Sequence, residues 1–256
     1  MTNKRLIPIS IIVAGLIVSG SILQSSDLSL NFFDRNEKSQ EVTGISPISP
    51  EEPILGNPEA DIIIVEYSDT ECSFCISFAR ERDRIMSFYG ESGMVAWVYR
   101  TLPVLNSVSK KKAMALECVA EEHNDHVFWE YLRMIQETDI TDPKNGGTDT
   151  ELLKQPLKKI GVSTEFLSNC IEDERYKNKV QRNIQEAVAS GAERTPFLII
   201  LLPERLSSSQ EERIKETVRD IPADLVLIPS NSDRLLINGS VPAEIIKEVL
   251  NAILLH

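Results

Sequence analysis

Residues 61–78 read DIIIVEYSDTECSFCISF, and this stretch decides the fold. Ile62, Ile63, Ile64 and Val65 make a β-branched run that suits a strand buried on both faces of a sheet. Asp69 and Thr70 then offer capping side chains, and Cys72 to Tyr89 reads as a helix with apolar Phe74, Ile76, Phe78, Ile85 and Phe88. Cys72-Ser73-Phe74-Cys75 is the only CxxC of the chain, and it opens that helix directly after the buried strand. Two cysteines three apart in a first helical turn come within disulfide range. The first of them lies where free N–H groups and the positive end of the helix dipole favour thiolate, the attacking species in disulfide exchange. Cys75, one turn further in, is expected to be the more buried, resolving thiol. Spacing alone leaves two other readings open: a static disulfide, and half of a zinc site completed by His123, His126 and Cys118.

Working outward, residues 93–99 (GMVAWVY) predict a second strand, and residues 107–190 are helical in pattern throughout. A loop rich in Asp, Gly and Thr interrupts that helical block at residues 139–150. Strand character returns at residues 196–202 and 234–238, and an amphipathic helix over 241–255 closes the chain with Pro242 near its start. The order β-α-β, helical block, β, β-α predicts an α/β fold with a helical insertion.

The N-terminal region has a different character. Lys4 and Arg5 precede an uncharged run over residues 6–23, LIPISIIVAGLIVSGSIL. At a rise of about 1.5 Å per residue it spans roughly 27 Å, enough for a thin bilayer. With basic residues before it and none after until Arg35, the remainder of the chain is expected outside the cytoplasm. The segment reads as a transmembrane anchor, with a cleaved signal peptide as the alternative. Residues 24–53 are polar, without periodicity, and read as a tether. The expected organisation is therefore anchor 1–23, tether 24–53 and a folded domain over 54–256, with its helical insertion at about 107–190. The formal net charge is −12, and the excess falls after residue 41 because acidic and basic residues balance before it. Such a domain repels phosphate backbones, which excludes nucleic acid as a partner.

Four stretches together resemble the DsbA-like thiol-disulfide oxidoreductases of the thioredoxin-fold superfamily. They are GNPEADIIIVEYSDTECSFCISF from Gly56, ALECVAEEHNDHVFWEYLRMI from Ala115, residues 161–200 with their Thr195-Pro196 step, and LLINGSVPAEIIKEVLNAIL from Leu235. The resemblance implies a thioredoxin-like domain with an inserted helical subdomain that performs thiol-disulfide exchange on exported, cysteine-containing proteins. It implies Cys72 as nucleophile and Cys75 as resolving thiol, with Ser73 and Phe74 between them. It assigns Thr195 and Pro196 to a substrate-facing loop whose proline is cis; without it an ordinary trans proline at a strand start is the expected reading. It places a buried acid at Glu66, with a raised pKa and a proton relay to Cys75, against the alternative of an inert surface Glu66. It also implies a second disulfide between Cys118 and Cys170, and a membrane quinone-linked redox partner of the DsbB or vitamin K epoxide reductase type. No cofactor or metal is required, since the redox chemistry resides in two sulfurs.

Two features depart from the family. Ser73-Phe74 replaces the Pro-His dipeptide of strongly oxidising relatives, so the sequence leaves a reductase or isomerase, and a non-catalytic binding module, as rivals. Residues 203–233 are longer than the family's usual turn and predict a helix over 208–219 and an apolar segment from Asp224.

Overall fold

The structure, a computed structural model, describes residues 44–90, 92–138, 140, 149–222, 225–227 and 233–254. The expected membrane segment, residues 24–43 of the expected tether and most of the 139–150 loop lie outside these residues. Among the described residues no helix is long and apolar enough to cross a membrane.

Six strands form one mixed sheet in the order β1-β3-β2-β4-β6-β5. The central β2 (Ile62–Ser68) runs parallel to β3 (Val95–Thr101) and antiparallel to β4 (Phe197–Leu201). β4 continues antiparallel to β6 (Arg234–Asn238), whose bounds match the expectation. Strand β3 starts two residues later than the apolar run predicted. The run's leading Gly93 is a turn residue at φ 72, and its Cβ-free backbone lies close to Asn57. β1 (Ile54–Gly56), antiparallel to β3, was not anticipated: three residues carry no readable period.

Period two on the central strands sorts the layers. Ile62 and Ile64 face a cluster with Phe78, Ile85, Trp97 and Ile200, covered by α1 (Ser73–Tyr89) and α8 (Ala243–Leu254). Val65, Tyr67, Val98, Phe197 and Ile199 face the opposite cluster, with Ala187 and Ile184 of α6 (Lys177–Ala189) and with Ile45 and Ile48. The packed structure therefore begins before residue 54, since the last ten residues of the expected tether lie on this face. The predicted insertion is present as α2 (Ser107–Glu122), α3 (Asp125–Gln136), α4 (Asp149–Ile160), α5 (Glu165–Glu172) and α6. Helices α2 to α5 enclose a core of their own, built on Leu116, Phe128, Tyr131, Leu132 and Leu157. The extra segment after β4 adds α7 (Ser208–Thr217), closed by a Ser207/Gln210 capping box, and the two-residue edge strand β5 (Val226–Leu227). It packs on α8 and on the outer edge of the sheet.

Candidate active site

Cys72 is the N-cap residue of α1, at φ −79 and ψ 118. An oxygen normally occupies this place to accept from the unpaired amides of the first turn. Here it is a sulfur. No cap bond of full hydrogen-bond geometry forms, yet the N–H groups of Phe74 and Cys75 lie close enough to favour a negative sulfur. The capping expected from Asp69 and Thr70 is corrected. Asp69 Oδ1 accepts from Glu71 N–H, and Oδ2 accepts from the amides of Val104 and Leu105, so Asp69 ties the turn before α1 to the loop after β3. Thr70 is buried, and its hydroxyl has no partner among the described residues.

The two thiols are free and differ in setting. Cys75 is fully buried, whereas Cys72 is 7% exposed at the surface of the turn. The Cys75 thiol donating to Cys72 is the largest influence on the pair; with the Thr195 side chain and the two amides it outweighs burial and lowers Cys72 from 9.0 to about 5. The same hydrogen bond, together with burial, drives Cys75 far above the ordinary thiol range. At neutral pH the pair is thus a Cys72 thiolate beside a protonated Cys75.

The Thr195–Pro196 peptide bond is cis. It brings the Thr195 carbonyl to 3.7 Å from Cys72 Sγ. Sequence reading missed what holds this loop: Asn238, at the end of β6, accepts from Glu193 N–H and donates to the Gly191 carbonyl, and Gly239 N–H donates to the Pro196 carbonyl. Ser73 and Phe74 point outward from the first turn, Phe74 being 67% exposed. Val104 and Leu105, held by Asp69, are exposed as well.

Glu66 lies on the α1 side of β2 and is wholly buried. The expected burial is present, and the carboxyl has polar partners that the sequence did not indicate. Its Oε2 accepts from Trp97 Nε1 at 2.9 Å and from Arg82 Nη1 at 3.3 Å, and Oε1 has no partner among the described residues. Arg82, also buried, stacks over the Trp129 ring at 5.1 Å, so the acid is ion-paired by the active-site helix and braced by the helical insertion. Neither Arg82 nor Trp97 was among the site residues read from the sequence. Cys118 of α2 and Cys170 of α5 are joined by a disulfide, with their Cα atoms 6.2 Å apart. Cys118 is therefore not available to share a zinc ion with His123, which instead packs edge-on against Phe166.

A mixed sheet with a CxxC at the N-terminus of its first long helix, facing a cis X-Pro loop, defines a thioredoxin-like domain. A family model described as thioredoxin matches residues 49–220, and the chain belongs to that family. Its fold is that of the DsbA-like thiol-disulfide oxidoreductases. The alpha-DsbA1 of Wolbachia pipientis superposes with a TM-score of 0.60 at 19% identity, covering 82% of this chain and 93% of that one. A periplasmic thioredoxin-like protein of Salmonella enterica serovar Typhimurium superposes at 0.55 with 20% identity, covering 80% and 91%. By sequence, the chain is 27% identical over 155 residues to the Na(+)/H(+) antiporter NhaA of Herminiimonas arsenicoxydans. That match covers 60% of this chain and 23% of the antiporter, so the chain spans less than a quarter of that relative.

Proposed function

We propose that the chain is an extracytoplasmic thiol-disulfide oxidoreductase that introduces disulfides into exported proteins through Cys72 and Cys75. The observation that carries this reading is the geometry of the pair: Cys72 at the N-cap of α1, Thr195 of the cis-proline loop 3.7 Å from its sulfur and the buried Cys75 beside it, a setting that lowers Cys72 and raises Cys75. A thiolate that is stabilised where it stands favours the reduced enzyme, and an enzyme whose reduced form is stabilised oxidises its substrates.

In the oxidised enzyme a substrate thiolate attacks Cys72 Sγ. The Cys72–Cys75 bond breaks, a substrate–Cys72 bond forms, and Cys75 departs with the electron pair and takes a proton. The substrate's second thiolate then attacks its own bonded sulfur, closing the substrate disulfide and expelling Cys72 as thiolate. Two electrons pass from substrate to enzyme; of the two protons released by the substrate thiols one ends on Cys75 and the other goes to solvent, since Cys72 leaves as thiolate. The buried Glu66, whose Oε1 has no partner among the described residues, is assigned to pass that proton. Thr195 and Pro196 are assigned to align an extended substrate strand against Cys72. Phe74, Val104 and Leu105 offer apolar contacts to chains that are not yet folded.

Turnover requires an oxidant, and a membrane quinone-linked partner of the DsbB or vitamin K epoxide reductase type supplies it in this reading. Residues 6–23 anchor the domain outside the cytoplasm beside that partner. The periplasmic origin of the Salmonella neighbour and the Cys118–Cys170 bond support an oxidising compartment.

The test is the reduction potential of the Cys72–Cys75 pair in glutathione buffers, together with trapping by Cys75→Ala. A potential of about −120 to −180 mV and mixed disulfides accumulating at Cys72 are expected. A value near about −270 mV would make the enzyme a reductase. A bond that survives below about −300 mV, with nothing trapped, would identify a static disulfide and overturn the reading.

A further inference from the structure

Glu71 immediately precedes the nucleophile, and a carboxylate there opposes ionisation of Cys72 by like-charge repulsion. The structure places a counter-charge against it. Lys112 Nζ lies 2.5 Å from Glu71 Oε1; the lysine side chain is 1% exposed and the glutamate side chain 26%. Lys112 belongs to α2, the first helix of the insertion, whose buried residues also include Ser109, Ala113, Ala115 and Leu116. A methionine of similar length would fill that site without the desolvation cost of an ammonium group, so packing alone does not explain a lysine there.

We propose that Lys112 is a positioning residue of the insertion that keeps Cys72 ionised by neutralising Glu71. The inference rests on the thiol-disulfide reading above and deepens it: the helical insertion sets the oxidising strength of the pair as well as covering it. Charged and titratable groups approach Cys72 from several elements. Glu71 adjoins it in the chain, and Cys75 donates to it from α1. The Asp69 carboxylate is turned to the amides of Glu71, Val104 and Leu105. Thr195 faces it from the cis-proline loop, and Lys112 reaches the turn from α2. Beneath the pair the buried Arg82 of α1 is engaged by Glu66 of β2, so Lys112 is the one cation described against the turn before α1. Without it Glu71 stands as an uncompensated anion next to the thiolate.

The full chain serves for the test, with Lys112→Met, Lys112→Arg, Glu71→Gln and the double variant Lys112→Met/Glu71→Gln. The readouts are the ultraviolet thiolate titration of Cys72 in the reduced protein and the equilibrium with glutathione. Lys112→Met is expected to raise the titration midpoint by about one unit and to shift the glutathione equilibrium about tenfold toward oxidised enzyme, ~30 mV more reducing. Lys112→Arg keeps the charge and should stay within about twofold of the parent. Glu71→Gln should move the midpoint down, and the double variant, which removes both charges, should return toward the parent value as the two opposite shifts cancel. A folded Lys112→Met protein, with its Cys118–Cys170 bond intact and an unchanged midpoint, overturns the proposal and leaves the pair a structural clasp. Should Lys112→Met fail to fold, an unchanged midpoint in Glu71→Gln overturns it equally. A parent protein that does not exchange with glutathione at all overturns the underlying function as well, so the two failures are distinguishable.

Discussion

Cys72 and Cys75 share one hydrogen bond and respond to it in opposite directions, which gives the pair a definite pH signature. Alkylation of Cys72 by iodoacetamide should be nearly constant from pH 8 down to pH 6 and should fall as pH drops through about 5, where the thiolate protonates. The stability linkage has the same origin. A folded-state pKa below the unfolded value stabilises the reduced protein above the ordinary thiol range, and that contribution is lost as pH falls through about 5. The urea midpoint of the reduced enzyme should therefore gain on that of the oxidised enzyme between pH 5 and pH 8; a constant difference would contradict an ionised Cys72. One layer below, Arg82 is the sole cation described on Glu66. Arg82→Met leaves a buried carboxylate with only Trp97 as donor, and a loss of about 3–5 kcal/mol in urea unfolding is expected. The Cys72–Cys75 pair was legible because its chemistry is local and its residue type rare, whereas the cis Thr195-Pro196 step came only through the family resemblance. Arg82 was not, because a hydrophobic reading of α1 followed Phe74, Ile76 and Phe88. The stripe that faces the sheet is Cys75, Phe78, Arg82, Ile85, Met86 and Tyr89, with a charged residue at its centre, while Phe74 and Phe88 are exposed.

Among the elements, legibility followed length and periodicity. The central β2, β4 and β6 are apolar runs bounded by turn residues, and the long helices of the insertion carry a clear 3.6-residue repeat. The three-residue β1 pairs where a neighbouring edge offers unpaired backbone groups, a tertiary fact with no local trace, whereas the two-residue β5 falls in the apolar segment read from Asp224. The partnership of α2 with α5 is likewise non-local, and Cys118–Cys170 fastens it. This bond closes a sequence separation of 52 residues, for which loop entropy gives about 4 kcal/mol. Cys118→Ala/Cys170→Ala should lose about that much in urea unfolding while Cys72 keeps its titration, because the bond lies in the helical core rather than at the redox pair. Intact mass after alkylation checks the premise: fully oxidised parent protein should take up no alkylating agent, and uptake at two thiols would refute the bond.

At the scale of the whole molecule, the boundary of the domain is set by charge as much as by apolar packing. Tyr67 and Arg100 are register neighbours on the α6 side of β2 and β3. The buried Arg100 guanidinium makes a two-pronged bond to Glu52, at 2.7 and 3.0 Å, and donates at 3.0 Å to both Glu186 of α6 and the Tyr67 hydroxyl. It also reaches the Ser46 carbonyl at 3.1 Å, and the Ser46 hydroxyl donates to Glu186. Sheet, helix and the chain ahead of residue 54 thus meet on one side chain, with Ile45 and Ile48 packed beside it. The polar composition of residues 44–53 concealed this, because Ser46 and Glu52 read as solvated residues until their partners, some 50 to 140 positions away, are in place. Arg100→Met would strand Glu52 and Glu186 without their cation, at an expected cost of about 3–5 kcal/mol. It should also open the chain between Gly44 and Pro53 to limited proteolysis under native conditions, whereas Arg100→Lys, which keeps the charge and loses the fork, should fall between the two. If urea midpoint and cleavage rate both stay at the parent values in Arg100→Met, Ile45 and Ile48 alone hold the segment, and the charged clasp is incidental to where the domain begins.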